Sequence, residues 1–313
     1  MSVKRRWPAA LAAGAAALTA LVTLSLTAAA AEEPTAAADP APLAEVWRVD
    51  FDGPAGSQPS GDDWIIDTGT GYPGGPPNWG TGEVQTYTAD PANLQLDGAG
   101  HLKITALRNG DTWTSARIET RRADFAAPEG GLLRIEASLQ LPGITGEAGL
   151  GYWPAFWTLG ADYRGNYWNW PGIGEFDIME NVNGLGQVWG VLHCGVNPGG
   201  PCDETNGRGT STPCDTCGSG FHEYALELDR TGGTEYLRWY LDGREFHSVS
   251  SADMDARTWS DATGHGHFIL LNLAMGGAFP NGVAGHATPT AATASGGSLL
   301  VDHVSVSVSG SGG

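Results

Sequence analysis

Beyond an apolar N-terminal stretch, apolar residues almost never recur at helical spacing in this chain. Short runs alternate apolar and polar residues instead, as in RIEASLQL from Arg134 and VDHVSVSV from Val301. Alternation of this kind turns one face of a strand to a core and the other to water. Strand-like runs occur at Trp47–Phe51, His101–Leu107, Leu132–Leu141, Trp153–Leu159, Glu175–Glu180, Val188–Cys194, Tyr224–Leu228, Leu237–Leu241, Phe268–Met275 and Leu299–Val308. Turn pairs such as Asp97-Gly98, Asn109-Gly110 and Asp242-Gly243 punctuate them. The one helical candidate is a short turn around Ser251–Ala256. So many strands exceed what one open twisted sheet accommodates, so the expected fold is all-β, a sandwich of two antiparallel sheets. Charged residues make up only 16% of the 313-residue chain and Gly occurs 47 times, as suits strands joined by turns better than amphipathic helices.

The N-terminus reads as a secretory signal over residues 1–31. Lys4, Arg5 and Arg6 precede an Ala- and Leu-rich run, and Ala29-x-Ala31 offers small residues for cleavage. A Pro/Ala linker (32–43), a single folded domain (44–309) and a Ser/Gly tail (310–313) are expected to follow. Losing the signal takes Lys+Arg from 16 to 13 against 35 Asp+Glu, and the formal net charge from -19 to -22. Such a surface repels nucleic acid and polyanions, which leaves a neutral polymer as the natural partner. A secreted, extracellular protein without a membrane span after signal removal is expected, as a monomer. Cys194, Cys202, Cys214 and Cys217 form an even, clustered set, which in a secreted chain implies disulfides with the pairing open. Cys214-x-x-Cys217 also has zinc-ligand spacing, but Cys194-x₇-Cys202 suits a zinc knuckle poorly.

The most informative segment is Gly174-Glu175-Phe176-Asp177-Ile178-Met179-Glu180-Asn181. Glu175 and Asp177 share one strand face, with Phe176 and Ile178 on the other. Strict alternation would place Glu180 among the apolar side chains, where an unpaired carboxylate costs several kcal/mol. One extra residue, a β-bulge at Ile178–Met179, returns it to the face of the other two acids. The flanks, YWPAFWTLG and VWGVLHCG, are apolar and aromatic, and no Lys or Arg alternates with the acids. A solvated polar face or a hard-cation site would also use carboxylates. Crowded acids on a central strand fit acid–base catalysis better, because their repulsion raises one pKa and supplies a proton donor. Retaining glycoside hydrolysis needs one ionised and one protonated carboxyl, about 5–5.5 Å apart. The Cα atoms of Glu175 and Glu180 would lie roughly 13–16 Å apart on a flat strand, a span that long side chains on a bulged, concave strand can close. Trp79, Trp153, Trp157, Trp168, Trp170 and Trp189 crowd this strand in sequence, and flat indoles stack on sugar faces. About half of these six are expected in the core.

At these residues the chain resembles family 16 of the glycoside hydrolases, the branch with the bulged E-x-D-x-x-E strand that is like the laminarinases. WGTGEVQTYT, TSARIET, GYWPAFWTLG, GEFDIMENVNG, VLHCG, WYLDG and FILLNLAMGGAFP carry the resemblance in order from Trp79 to Pro280. It implies a β-jelly-roll with a cleft across a concave sheet, Glu175 as nucleophile, Asp177 as helper and Glu180 as acid/base. His193 matches a histidine beside the acid/base, Trp153, Trp157 and Arg117 match positions lining the sugar subsites, and Glu83 and Gln85 match a loop at the non-reducing side. Thr81 departs from the Asn often found in that loop, and the Cys-rich insertion Asn197–Gly218 is unlike the simplest members. Some relatives bind Ca²⁺ on the convex side, and Asp50, Gly53 and Asp302 match those positions, although Asp52-Gly53 also reads as a turn. His265-x-His267 shares one strand face and reads as a polar edge rather than a metal site. The expected function is retaining endo-hydrolysis of a β-1,3 or mixed β-1,3/1,4 glucan, with no cofactor in catalysis. A non-catalytic glucan-binding protein or a transglycosylase on the same fold are the alternatives, the first disfavoured because the acids are retained.

Overall fold

A computed structural model describes residues 42–310. The expected signal segment, most of the linker and the last residues of the tail lie outside the described residues. Two antiparallel sheets face each other. The inner, seven-stranded sheet runs in the order Arg208–Pro213, Gln187–His193, Glu175–Glu180, Tyr152–Gly160, His267–Met275, Arg117–Thr120 and Trp64–Asp67. The outer, eight-stranded sheet runs Arg244–Ser250, Tyr236–Leu241, His222–Asp229, Leu132–Gln140, Ser298–Ser309, Leu102–Thr105 and Leu94–Leu96, with Ala44–Val49 also paired to Ser298–Ser309. One core fills the space between them; Leu133, Ile135, Ala137 and Leu139 enter it from the outer sheet by strict alternation, and Phe176, Ile178 and Met179 from the inner. The strand Glu175–Glu180 has the bounds its alternation predicts, near the middle of the inner sheet.

The structure adds elements. The expected turn near Ser251 is a 3₁₀ turn followed by a helix, Ala256–Thr263, and a second helix spans Ala278–Ala284. The Cys-rich insertion contains the edge strand Arg208–Pro213, built from polar residues that alternation cannot distinguish from loop. The cysteines pair in sequence order, Cys194 with Cys202 and Cys214 with Cys217, which leaves none free for zinc. His267 is buried, contacts Thr158 Oγ1 and the Ala262 carbonyl, and stacks on His265 with ring centroids 5.0 Å apart, a packed pair. Among the described residues, no helix is long and apolar enough to cross a membrane.

The positions matched to Ca²⁺ converge on one edge, because Val49 pairs with Val304 and so brings Asp50 beside Asp302; Gly53 lies in the exposed bend that follows. Their oxygens suit Ca²⁺ in kind. However, the Arg48 guanidinium donates to Asp50 at 2.6 Å and lies in the field of Asp302, and Asp302 Oδ2 lies 2.8 Å from His303 Nδ1. Arg48 and His303 thus already engage oxygens that a cation would need, and no step below uses one.

Candidate active site

The acid row depends on the bulge. Toward Tyr152–Gly160, Phe156 pairs with Met179 and Trp157 with Asp177, which leaves Ile178 as the extra residue. Toward Gln187–His193 the register jumps between Asp177, opposite Val191, and Glu180, opposite Trp189. Phe176, Ile178 and Met179 therefore all enter the core, while Glu175, Asp177 and Glu180 face the cleft. The outer sheet anchors the irregularity: Trp239 Nε1 donates to the Asp177 carbonyl at 2.8 Å. Gly190 makes that approach possible, since a Cβ there would lie 2.5 Å from Trp239 Cδ1.

The cleft holds a cavity of about 410 Å³ lined by the three acids, Tyr72, Trp79, Trp153, Trp157, Trp168, Trp170 and Asn272 among others. None of the six tryptophans near the acid strand is buried, contrary to the expectation that about half are core. The core indoles are Trp64, Trp113, Trp239 and Trp259. Trp153 Nε1 donates to Glu180 Oε1 at 2.8 Å, and Trp157 Nε1 to Asn272 Oδ1 at 2.7 Å. Trp79 Nε1, although buried, has no partner among the described residues, and neither does Asp177 Oδ2. Unmatched buried polar atoms in a cleft are poised for a ligand.

The expected binding residues fall in two groups. Trp153, Trp157, Arg117 and Glu83 line the cavity. His193 stands opposite Glu175 in the ladder, with Nε2 3.4 Å from Asp177 Oδ2 and 3.9 Å from Glu175 Oε1. Gln85 sits behind the surface; its Nε2 donates to Glu83 at 2.6 Å and its Oε1 accepts from the Met275 N–H at 2.7 Å. Thr81 and Tyr87 also donate to Glu83, so Thr81 holds this carboxylate in place.

Arg117 is a buried cation boxed by Trp79, Trp157 and Tyr72, with its guanidinium carbon 4.5, 4.9 and 5.4 Å from their ring centroids. Its Nε donates to Asp67 at 3.1 Å. Burial pushes Asp67 up to about 6 even though Arg117 pulls it down. Neither Asp67 nor Tyr72 stands out in sequence, because each acquires its role only when separate strands meet. Arg117→Met strands a buried carboxylate, so the unfolding free energy in urea should fall by about 3–5 kcal/mol. A loss below about 1 kcal/mol, the range of surface pairs, would contradict the buried pair.

Burial raises all three acids, and repulsion from neighbouring carboxylates adds to it at Glu175 and Asp177. Glu175 is pushed up to about 7 by burial, against the pull of His193, with Glu180 and Glu204 pushing it further. Asp177 lies well above the usual range, through burial first and then the charges of Glu180 and Glu175. Burial raises Glu180 as well, opposed by the Trp153 hydrogen bond. The row therefore retains protons near neutral pH, and a proton held between neighbouring carboxyls is what acid–base chemistry requires.

No family model matches the chain. It is similar to the Beta-glucanase of Rhodothermus marinus, 31% identical over 276 residues that cover 83% of this chain and 84% of that protein. Glucan endo-1,3-beta-glucosidase A1 of Niallia circulans is 27% identical over 284 residues, 83% of this chain; the chain spans 37% of that relative's length. Among solved structures, the endo-1,3-beta-glucanase from Streptomyces sioyaensis matches with a TM-score of 0.83 and 53% identity, covering 88% of this chain and 99% of that one.

Proposed function

Because the chain belongs to family 16 of the glycoside hydrolases, with the endo-1,3-β-glucanases, we propose that it is a retaining endo-β-1,3-glucanase acting on a neutral glucan. The observation that carries this reading is the row Glu175, Asp177 and Glu180 on one face of a bulged strand, inside a cleft walled by indoles. Ionised Glu175 attacks the anomeric carbon and forms a glycosyl-enzyme bond. Protonated Glu180 gives its proton to the departing glycosidic oxygen, then takes one from the water that releases the sugar. Asp177, kept protonated by burial, lies between them and can share that proton with the nucleophile. The indoles of Trp153, Trp157 and Trp79 offer stacking faces, and the free Trp79 N–H offers a donor for a hydroxyl. The acidic surface suits an uncharged polymer, and the two disulfides suit an oxidising, extracellular setting.

Side-by-side digestion of laminarin, lichenan and agarose tests this. Laminarin should release oligosaccharides whose new reducing ends appear first as the β-anomer by NMR. An initial α-anomer would overturn the retaining mechanism, and release from none of the three would overturn hydrolysis in favour of binding alone.

A further inference from the structure

The segment just beyond the Cys194–Cys202 disulfide carries a carboxylate that the mechanism above leaves without a role. The Glu204 side chain is fully shielded. Its Oε2 lies 2.8 Å from His193 Nδ1, and its Oε1 accepts from the Cys194 N–H at 2.9 Å. The disulfide fixes the chain two residues before Glu204, and the Cys194 hydrogen bond fixes its head. The loop can lie this close to the imidazole because Gly207, at φ +73, has no side chain; a Cβ there would lie 3.0 Å from His193 Nδ1.

The other edge of the ring faces acids too. His193 Nε2 is 3.4 Å from Asp177 and 3.9 Å from Glu175, and the Trp170 ring lies 5.5 Å from the imidazole. The titratable groups that act on His193 are Glu204 from the loop and Glu175, Asp177 and Glu180 from the neighbouring strand. Arg208, on the adjacent edge strand, is occupied by the carbonyls of Pro201 and Asp253. Glu204 fixes the hydrogen on Nδ1, and Nε2 faces Glu175 and Asp177, so once Glu175 is ionised the ring is best matched to its surroundings with hydrogen on both nitrogens.

We propose that Glu204 is a positioning residue that holds His193 as an imidazolium against the acid row, so that Glu175 can ionise. The inference rests on the reading of Glu175 as nucleophile. The electrostatics agree: burial alone would lower the His193 pKa, but the Glu204 hydrogen bond and the surrounding carboxylates leave it raised. In turn, His193 pulls Glu175 down more than Glu204 pushes it up. Removing the Glu204 charge, and with it the imidazolium, therefore leaves Glu175 harder to ionise.

Glu204→Gln keeps the shape and the hydrogen-bonding capacity and removes the charge. The acid limb of kcat/KM on laminarin should move to higher pH by about one unit, with KM nearly unchanged, and Glu204→Asp should restore part of the shift. An acid limb that stays in place or moves to lower pH, even with lower activity at every pH, would overturn the proposal and leave Glu204 a merely structural residue. Nitrogen-15 NMR of the unmodified protein decides the matter even if the variant does not fold. The His193 signals, assigned by their loss in His193→Asn, should show both nitrogens protonated at pH 6.5, and a neutral ring would overturn the inference. If the unmodified protein does not hydrolyse laminarin, the functional reading fails, while the imidazole spectrum still decides the charge of His193.

Discussion

Glu175→Ala should reduce laminarin hydrolysis by on the order of 10⁴-fold or more, the scale on which removing a covalent nucleophile acts. Azide should then restore turnover of an activated aryl β-glucoside, and the glycosyl azide should have the inverted, α configuration. The reasoning is steric as well as chemical. Glu175 stands where the bulged strand meets the cleft, and truncation opens a space beside the anomeric carbon that a small anion can enter. A single displacement by azide inverts, whereas two displacements through the glycosyl-enzyme retain. Laminarin hydrolysis by Glu175→Ala at near-normal rates would remove the residue from the mechanism. An azide product of retained configuration would exchange its role with that of Glu180.

Glu180→Ala should separate substrates by their leaving groups. Laminarin, whose departing oxygen must be protonated, should be cleaved about 10²–10⁴-fold more slowly. An aryl glycoside with an acidic phenol needs no proton, so its glycosylation should survive, and azide should then accelerate deglycosylation to give the retained product. The Trp153 N–H, which loses its acceptor in this variant, stays in the cleft and gives a control. Trp153→Phe keeps the carboxyl and removes only that hydrogen bond, so it should not produce the leaving-group dependence. Equal losses on laminarin and on the aryl glycoside would argue that Glu180 shapes the cleft without donating a proton.

The acid strand is legible in sequence because two costs conflict there. A buried carboxylate is expensive and strand alternation is strict, so only a bulge at Ile178–Met179 reconciles Glu175 with Glu180. The strand pairings carry that bulge on both sides. The long outer strands are legible for the related reason that only one face of each is apolar. The short strands Trp64–Asp67 and Arg117–Thr120 escape detection. WIID and RIET are too short to establish a period, and they become strands only by pairing with each other and with His267–Met275. The tryptophans mislead because indole area says how much surface is buried against something, and a cleft built for flat rings competes with the core for the same residue type. Asn272 carried a usable signal as the single polar residue in the run FILLNLAM, where it now accepts from Trp157. Glu204 carried none. It lies among loop residues of high polarity, and its burial follows from the disulfide and the partner on another strand.

The bond from Trp239 to the Asp177 carbonyl joins the two layers at the spot where the acid strand is least regular. The indole is wholly enclosed, so it cannot let go of that carbonyl without water entering the middle of the sandwich. The acid row thus has no private flexibility at this point. Its geometry belongs to the same cooperative unit as the core, and heat should extinguish activity and tertiary structure along one curve.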